Sequence, residues 1–77
     1  MNHALTRATL LPQIAALISE QYDISEFEAL DRFYKSSTAA SFADDETGLY
    51  GRSALNIFGL FVEEYNDDLQ RIAADVD

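Results

Sequence analysis

The chain has no cysteine and no tryptophan, and only one proline, one histidine and three glycines in 77 residues. Without cysteine it can form neither a disulfide nor a thiolate metal site, two of the usual staples of a domain this small. The one histidine, His3, has no motif partner, so no catalytic role is expected of it. Gly48, Gly51 and Gly59 lack the close spacing, the strand-to-helix setting and the basic residue of a phosphate-binding loop. Positive charge is also scarce: five Lys and Arg stand against 14 Asp and Glu, for a net −9. Such a field repels polyanions, so binding to nucleic acid or to an anionic membrane surface is not expected. A basic protein partner is compatible with it, and the same charge keeps an apolar-rich chain soluble. No apolar run approaches the ~18 residues of a membrane span. Pro12 and Gln13 interrupt the apolar stretch near the start, so no signal peptide is read there, and the cytoplasm is the expected location.

What the chain has is apolar and aromatic. Five Phe and four Tyr can each remove about 150–250 Å² from water, so the composition is that of a folding chain. The length allows one domain. A core of this size supplies about 3–5 kcal/mol, which makes helix packing and association with another chain the remaining sources of stability.

The periodicity predicts an all-α fold, a small bundle of three main helices plus one short helix. Residues 1–8 read as a tail. Leu10, Leu11, Ile14, Leu17 and Ile18 recur at helical spacing and predict a helix over 10–22, with Pro12 in its first turn. Ser25 and Glu28 form a capping box ahead of a second helix at 26–35, and Ile24 is placed to pack back onto its first turns. Phe27, Leu30, Phe33 and Tyr34 make the apolar face of that helix, and Asp31 with Lys35 is an i, i+4 ion pair. Ser36, Ser37 and Thr38 break the helix, and any one of the three can cap a short one at 38–43. Asp44 to Gly48 is an acidic turn, and Leu49 and Tyr50 are pinned against the core. Ser53 caps a last helix at 54–74. Ala54, Ile57, Phe58, Phe61, Val62 and Tyr65 form its apolar face, widened by Leu55, Leu60 and Leu69. Gly59, costly in mid-helix, marks a point where another backbone crosses closely.

Few constellations suggest chemistry. Counted from Asp44, an EF-hand loop would place its bidentate glutamate at Leu55, so the calcium pattern fails. Ser36 and Ser37 beside Lys35 lack the spacing of a Ser–Lys nucleophile. Glu63 with Asp67, and Glu64 with Asp68, are like-charge i, i+4 pairs, which repel on an isolated helix unless a cation or a basic partner neutralises them. Nothing indicates the desolvated carboxylate that paired-carboxylate hydrolysis needs. A DNA-recognition helix should be basic or polar on its outward face. Helix 26–35 presents Glu26, Asp31, Arg32 and Lys35, and the last helix mainly acids, so a DNA-binding regulator is disfavoured.

Two stretches carry a resemblance, Ile24-Ser25-Glu26-Phe27-Glu28-Ala29-Leu30-Asp31-Arg32-Phe33-Tyr34-Lys35-Ser36 and Glu46-Thr47-Gly48-Leu49-Tyr50-Gly51-Arg52-Ser53-Ala54-Leu55-Asn56-Ile57-Phe58. Over roughly residues 10–64 the chain resembles a group of short bacterial helical proteins of unknown function. That group is similar to, or encoded near, accessory and antitoxin-like partners of ADP-ribosyltransferase-like toxins. The resemblance implies a non-enzymatic accessory or antitoxin-like subunit and carries over no catalytic residue. The expected function is therefore protein–protein interaction without cofactor or metal. The expected contact residues are Tyr50 and Arg52 in the loop and Glu63, Glu64, Asp67 and Asp68 on the last helix. The other expectation is a self-associating homodimer.

Overall fold

The computed structural model describes residues 3–75, with side chains as far as residue 71. It is all-helical over that range, as the periodicity predicts. Four α-helices follow in order: α1 (Ala4–Tyr22), α2 (Glu26–Tyr34), α3 (Ser37–Ala43) and α4 (Ala54–Asp75). Two single 3₁₀ turns, Asp45–Thr47 and Leu49–Gly51, join α3 to α4.

The N-terminal segment differs from the expected tail. Met1 and Asn2 lie outside the described residues, but residues 4–8 are the first turns of α1. Ala4, Leu5, Arg7 and Ala8 are good helix formers, and Arg7 ties these turns to the rest of the molecule. Its Nε donates to the Phe42 carbonyl at 2.9 Å, and its guanidinium pairs with Asp45. The same guanidinium lies 5.7 Å from the centre of the Tyr50 ring, on which His3 also stacks at 3.8 Å. His3, which the sequence left without a partner, is thus an aromatic contact. With α1 starting six residues early, Pro12 lies inside the helix. There it removes one backbone hydrogen bond instead of filling a position that has none to make. The helix ends at Asp23, whose left-handed backbone (φ 54°) suits a short polar side chain.

Half of the expected capping box is present. The Ser25 hydroxyl accepts the Glu28 N–H at 3.1 Å. The Glu28 carboxylate does not return to Ser25 but meets Arg32, one turn on, at 3.3 Å, where it gains a charge-assisted bond. Ile24 packs against the core as expected, and Asp31 pairs with Lys35 at 2.9 Å. Helix α2 stops one residue short of its expected end, with Lys35 as its C-cap.

Helix α3 has seven residues, too few to persist on its own, and every N–H of its first turn has a partner. The Ser36 hydroxyl accepts from Ala39 at 3.0 Å, the Ser36 carbonyl accepts from Ala40, and the carboxylate of Glu64 on α4 accepts from both Ser37 and Thr38 at 2.8 Å. The Ser36 N–H donates to the Phe33 carbonyl at 3.0 Å, so the four donors that a helix start leaves open, on Ser36 to Ala39, are closed, two of them by a side chain from another helix.

The core joins Ile14, Ala15 and Ile18 of α1, Ala29 and Phe33 of α2, Ala39 and Phe42 of α3, Leu49, and Ala54, Ile57 and Phe61 of α4. Phe33 is its aromatic centre, with the rings of Phe42 at 5.9 Å and Phe61 at 6.0 Å. The stack continues to Tyr65, 6.0 Å from Phe61, and on to Tyr22, 4.9 Å from Tyr65.

The Tyr22 hydroxyl is buried with no hydrogen-bond partner among the described residues. Burial, and then the neighbouring Tyr65, push its pKa up, against a smaller opposing effect of Arg32. Tyr22→Phe keeps the ring and removes the unpaired oxygen. The variant is therefore expected to be about 1 kcal/mol more stable, read as a higher urea midpoint at unchanged slope. A lower midpoint would show that the hydroxyl is bonded in solution.

Candidate functional site

The six residues singled out from the sequence do not form one site. Arg52 precedes α4, and Asp68 lies about 20 Å further along the axis at 1.5 Å per residue. Tyr50 is half-buried between His3 and Arg7 and helps to hold the N-terminal turns. Arg52 is exposed and hydrogen-bonds Asn56 at 3.2 Å.

The acidic residues of α4 divide by role. Glu64 turns inward to α3. Besides the two backbone N–H groups, it accepts the Thr38 hydroxyl at 2.8 Å. Burial is the largest single influence on its carboxyl and acts to raise its pKa. The bonds from Ser37 N–H, Thr38 hydroxyl and Thr38 N–H together outweigh it and hold the group below its ordinary value. Its neutralising partner is therefore a helix N-terminus in the same chain. Asp68 lies 3.8 Å from Arg71. Glu63 and Asp67 are exposed, and among the described residues no group of acids and histidines is placed to hold a metal ion.

Gly59 is not a crossing point. A Cβ built on it meets nothing within 4 Å, and the position is exposed. It forms instead the floor of an open groove along α4, lined by Ser53, Leu55, Asn56, Gly59, Leu60 and Glu63. Leu55, expected on the buried face, is 65% exposed beside it. Leu55, Gly59, Glu63 and Asp67 follow one another at four-residue spacing, so a single stripe of α4 runs from a bare leucine through a notch to two carboxylates. Gly59→Ala is expected to stabilise the fold by about 1 kcal/mol, the helix preference of alanine over glycine, measured by thermal or urea unfolding. A loss of stability would mean that the notch is filled in solution.

A second exposed apolar feature lies on α2. The sequence placed Phe27 and Tyr34 on the buried face with Phe33, but they are 84% and 62% exposed. Successive residues of a helix differ by about 100°, so the bulk of Phe33 and Ala29 turned to the core carries Phe27 and Tyr34 to the far side. Leu30 is half-buried between the two faces. Arg32 turns towards α4, reaching the Tyr65 hydroxyl at 3.2 Å.

Beyond residue 65 every described side chain of α4 is exposed, including Leu69 at 50%, and the helix continues without a break at Asn66 to Asp68. The apolar residues Ile72, Ala73 and Val76 lie outside the described side chains. No helix among the described residues is long and apolar enough to cross a membrane. No family model matches the chain, and no curated protein or solved structure shows significant similarity to it.

Proposed function

We propose that this chain is a non-enzymatic interaction module that binds a basic protein along the outward stripe of α4. Leu55 and the Gly59 notch would receive an apolar side chain, and Glu63, Asp67 and Asp68 would meet its cationic flank. An antitoxin-like or accessory subunit is the narrower form of the same proposal.

The observation that carries it is the glycine. An exposed mid-helix glycine with no neighbour costs the helix about 1 kcal/mol and gains no packing in return. It makes room for a side chain from outside, next to an uncovered leucine. The net charge of −9 favours a partner of opposite sign and would speed the encounter.

The test is co-purification from cells producing the tagged chain, using wild type, Gly59→Ala and the double reversal Glu63→Lys with Asp67→Lys. A partner engaging this stripe is expected to be retained by wild type at low salt, weakened by Gly59→Ala despite the firmer fold, and lost with the reversal or at 0.5 M salt, where charges are screened within about 4–5 Å. Equal retention by all three proteins would sink the proposal.

A further inference from the structure

The outward face of α2 is distinct from the stripe on α4, and it is self-complementary. Phe27, Leu30 and Tyr34 lie at i, i+3 and i+7, the spacing with which a helix presents anchors to another helix. Its charges are polar along the axis. Glu26 and Glu28 occupy the first turn, and Lys35 closes the C-terminal end. Glu28 and Lys35 stand seven residues apart on the same flank of the aromatic row.

We propose that two copies of this chain pair through α2, antiparallel across a two-fold axis near Leu30 and Asp31, with Phe27 of each copy packed on Tyr34 of the other. In a closed two-fold pair of antiparallel helices, like flanks face each other. Lys35 of one copy, which also holds its own Asp31, therefore meets Glu28 of the other, which also holds its own Arg32, twice over. A parallel pair would set the acidic first turns side by side. Asp31, nearest the axis, is already paired with Lys35 of its own chain at 2.9 Å, so the centre of the contact carries no free like charges. The opposed helix dipoles favour the same direction.

The area suits a second copy. Two exposed Phe27 and two exposed Tyr34 rings, at about 150–250 Å² each when fully buried, would remove about 600 Å² from water. Leu30, Glu28, Asp31 and Lys35 extend the contact towards the about 1,200 Å² at which specific interfaces begin. The resulting dimer is a weak one, with a dissociation constant on the order of 10–100 μM, at the small end of the interface range. Two chains of −9 also repel each other over their whole surfaces, a repulsion that salt screens. Salt is therefore expected to tighten the dimer, the opposite of its effect on a basic partner at α4.

Sedimentation equilibrium of the full chain from about 5 μM to 1 mM, at low and high salt, tests the proposal. Wild type is expected to reach the dimer mass, at lower concentration in 0.5 M than in 0.05 M salt. Phe27→Glu is expected to remain monomeric with undiminished helicity, since that side chain touches little of its own core. Lys35→Glu is expected to weaken association at least tenfold, and Lys35→Arg to leave it unchanged. Because the chain has no cysteine, a single Asp31→Cys gives a second readout that needs no disruptive variant. It is expected to oxidise to a covalent dimer, whereas the exposed control Glu20→Cys on α1 is not. A monomer at 1 mM, a dimer indifferent to Phe27→Glu, or equal cross-linking at both cysteine positions would each overturn the proposal. None of these outcomes bears on the α4 stripe, whose test reads a different face.

Discussion

Phe33→Ala is expected to leave the chain mostly unfolded at room temperature. Phe33 is 1% exposed and sits between Phe42 of α3 and Phe61 of α4. Truncating a buried phenylalanine costs about 3–5 kcal/mol, from the lost transfer energy and from the cavity left behind. A single core of this size supplies about the same amount in total. Three helices converge on this ring, so no one of them can move in to fill the gap without leaving the other two. Far-UV circular dichroism is expected to show most of the helical signal gone in the absence of denaturant, and cooperative thermal unfolding with it. Phe33→Leu retains most of the volume and is expected to stay folded with a lowered midpoint. If Phe33→Ala unfolds cooperatively near the wild-type temperature, stability must come from outside this core, and the α2 dimer is the first place to look.

The second large effect is at Glu64. Glu64→Ala removes an ionised acceptor from two backbone N–H groups and a hydroxyl, at an expected cost of about 2–3 kcal/mol. Glu64→Gln keeps one good acceptor and loses the charge, so it should cost about half as much. The pH dependence follows from the direction of the shift. The folded-state pKa lies below its ordinary value, so folding favours the deprotonated form. The corresponding stability is fully present above the ordinary glutamate pKa of the unfolded chain. It is lost as pH falls through the lower, folded-state pKa. Urea midpoints of wild type and Glu64→Gln should thus be well separated at neutral pH and converge in acid. A separation that stayed constant down to strong acid would show that the carboxylate charge contributes nothing.

The helices could be read from the sequence because local rules dominate them. Ser25, Ser36 and Ser53 cap as their positions suggest, and the three- and four-residue spacing of Ile14, Ile18, Ile57 and Phe61 places them in the core. Where tertiary contacts decide, the local signal misled. Residues 4–8 look like a tail because their partners, Phe42, Asp45 and Tyr50, lie at least 35 positions away. Phe27 and Tyr34 look like core because hydrophobicity at helical spacing does not say which of two apolar faces will find a neighbour. Gly59 is ambiguous in the same manner, since glycine fits a close approach and an open notch equally well. Among the expected contact residues, Glu64 and Tyr50 have partners within the chain. An acidic residue on α4 carries no local mark of the α3 N-terminus, 26 positions earlier, that it will meet.

That long-range cap also bears on the order in which the chain assembles. A seven-residue helix whose first two amides are held by another helix is too short to persist alone, so α3 is expected to form when α4 arrives and to melt when α4 leaves. The amides of Ser37 and Thr38 should therefore exchange with solvent at the rate set by separation of α4, and not at the faster rate of a fraying helix end. In hydrogen exchange the two segments are expected to behave as one cooperative unit, although they differ threefold in length.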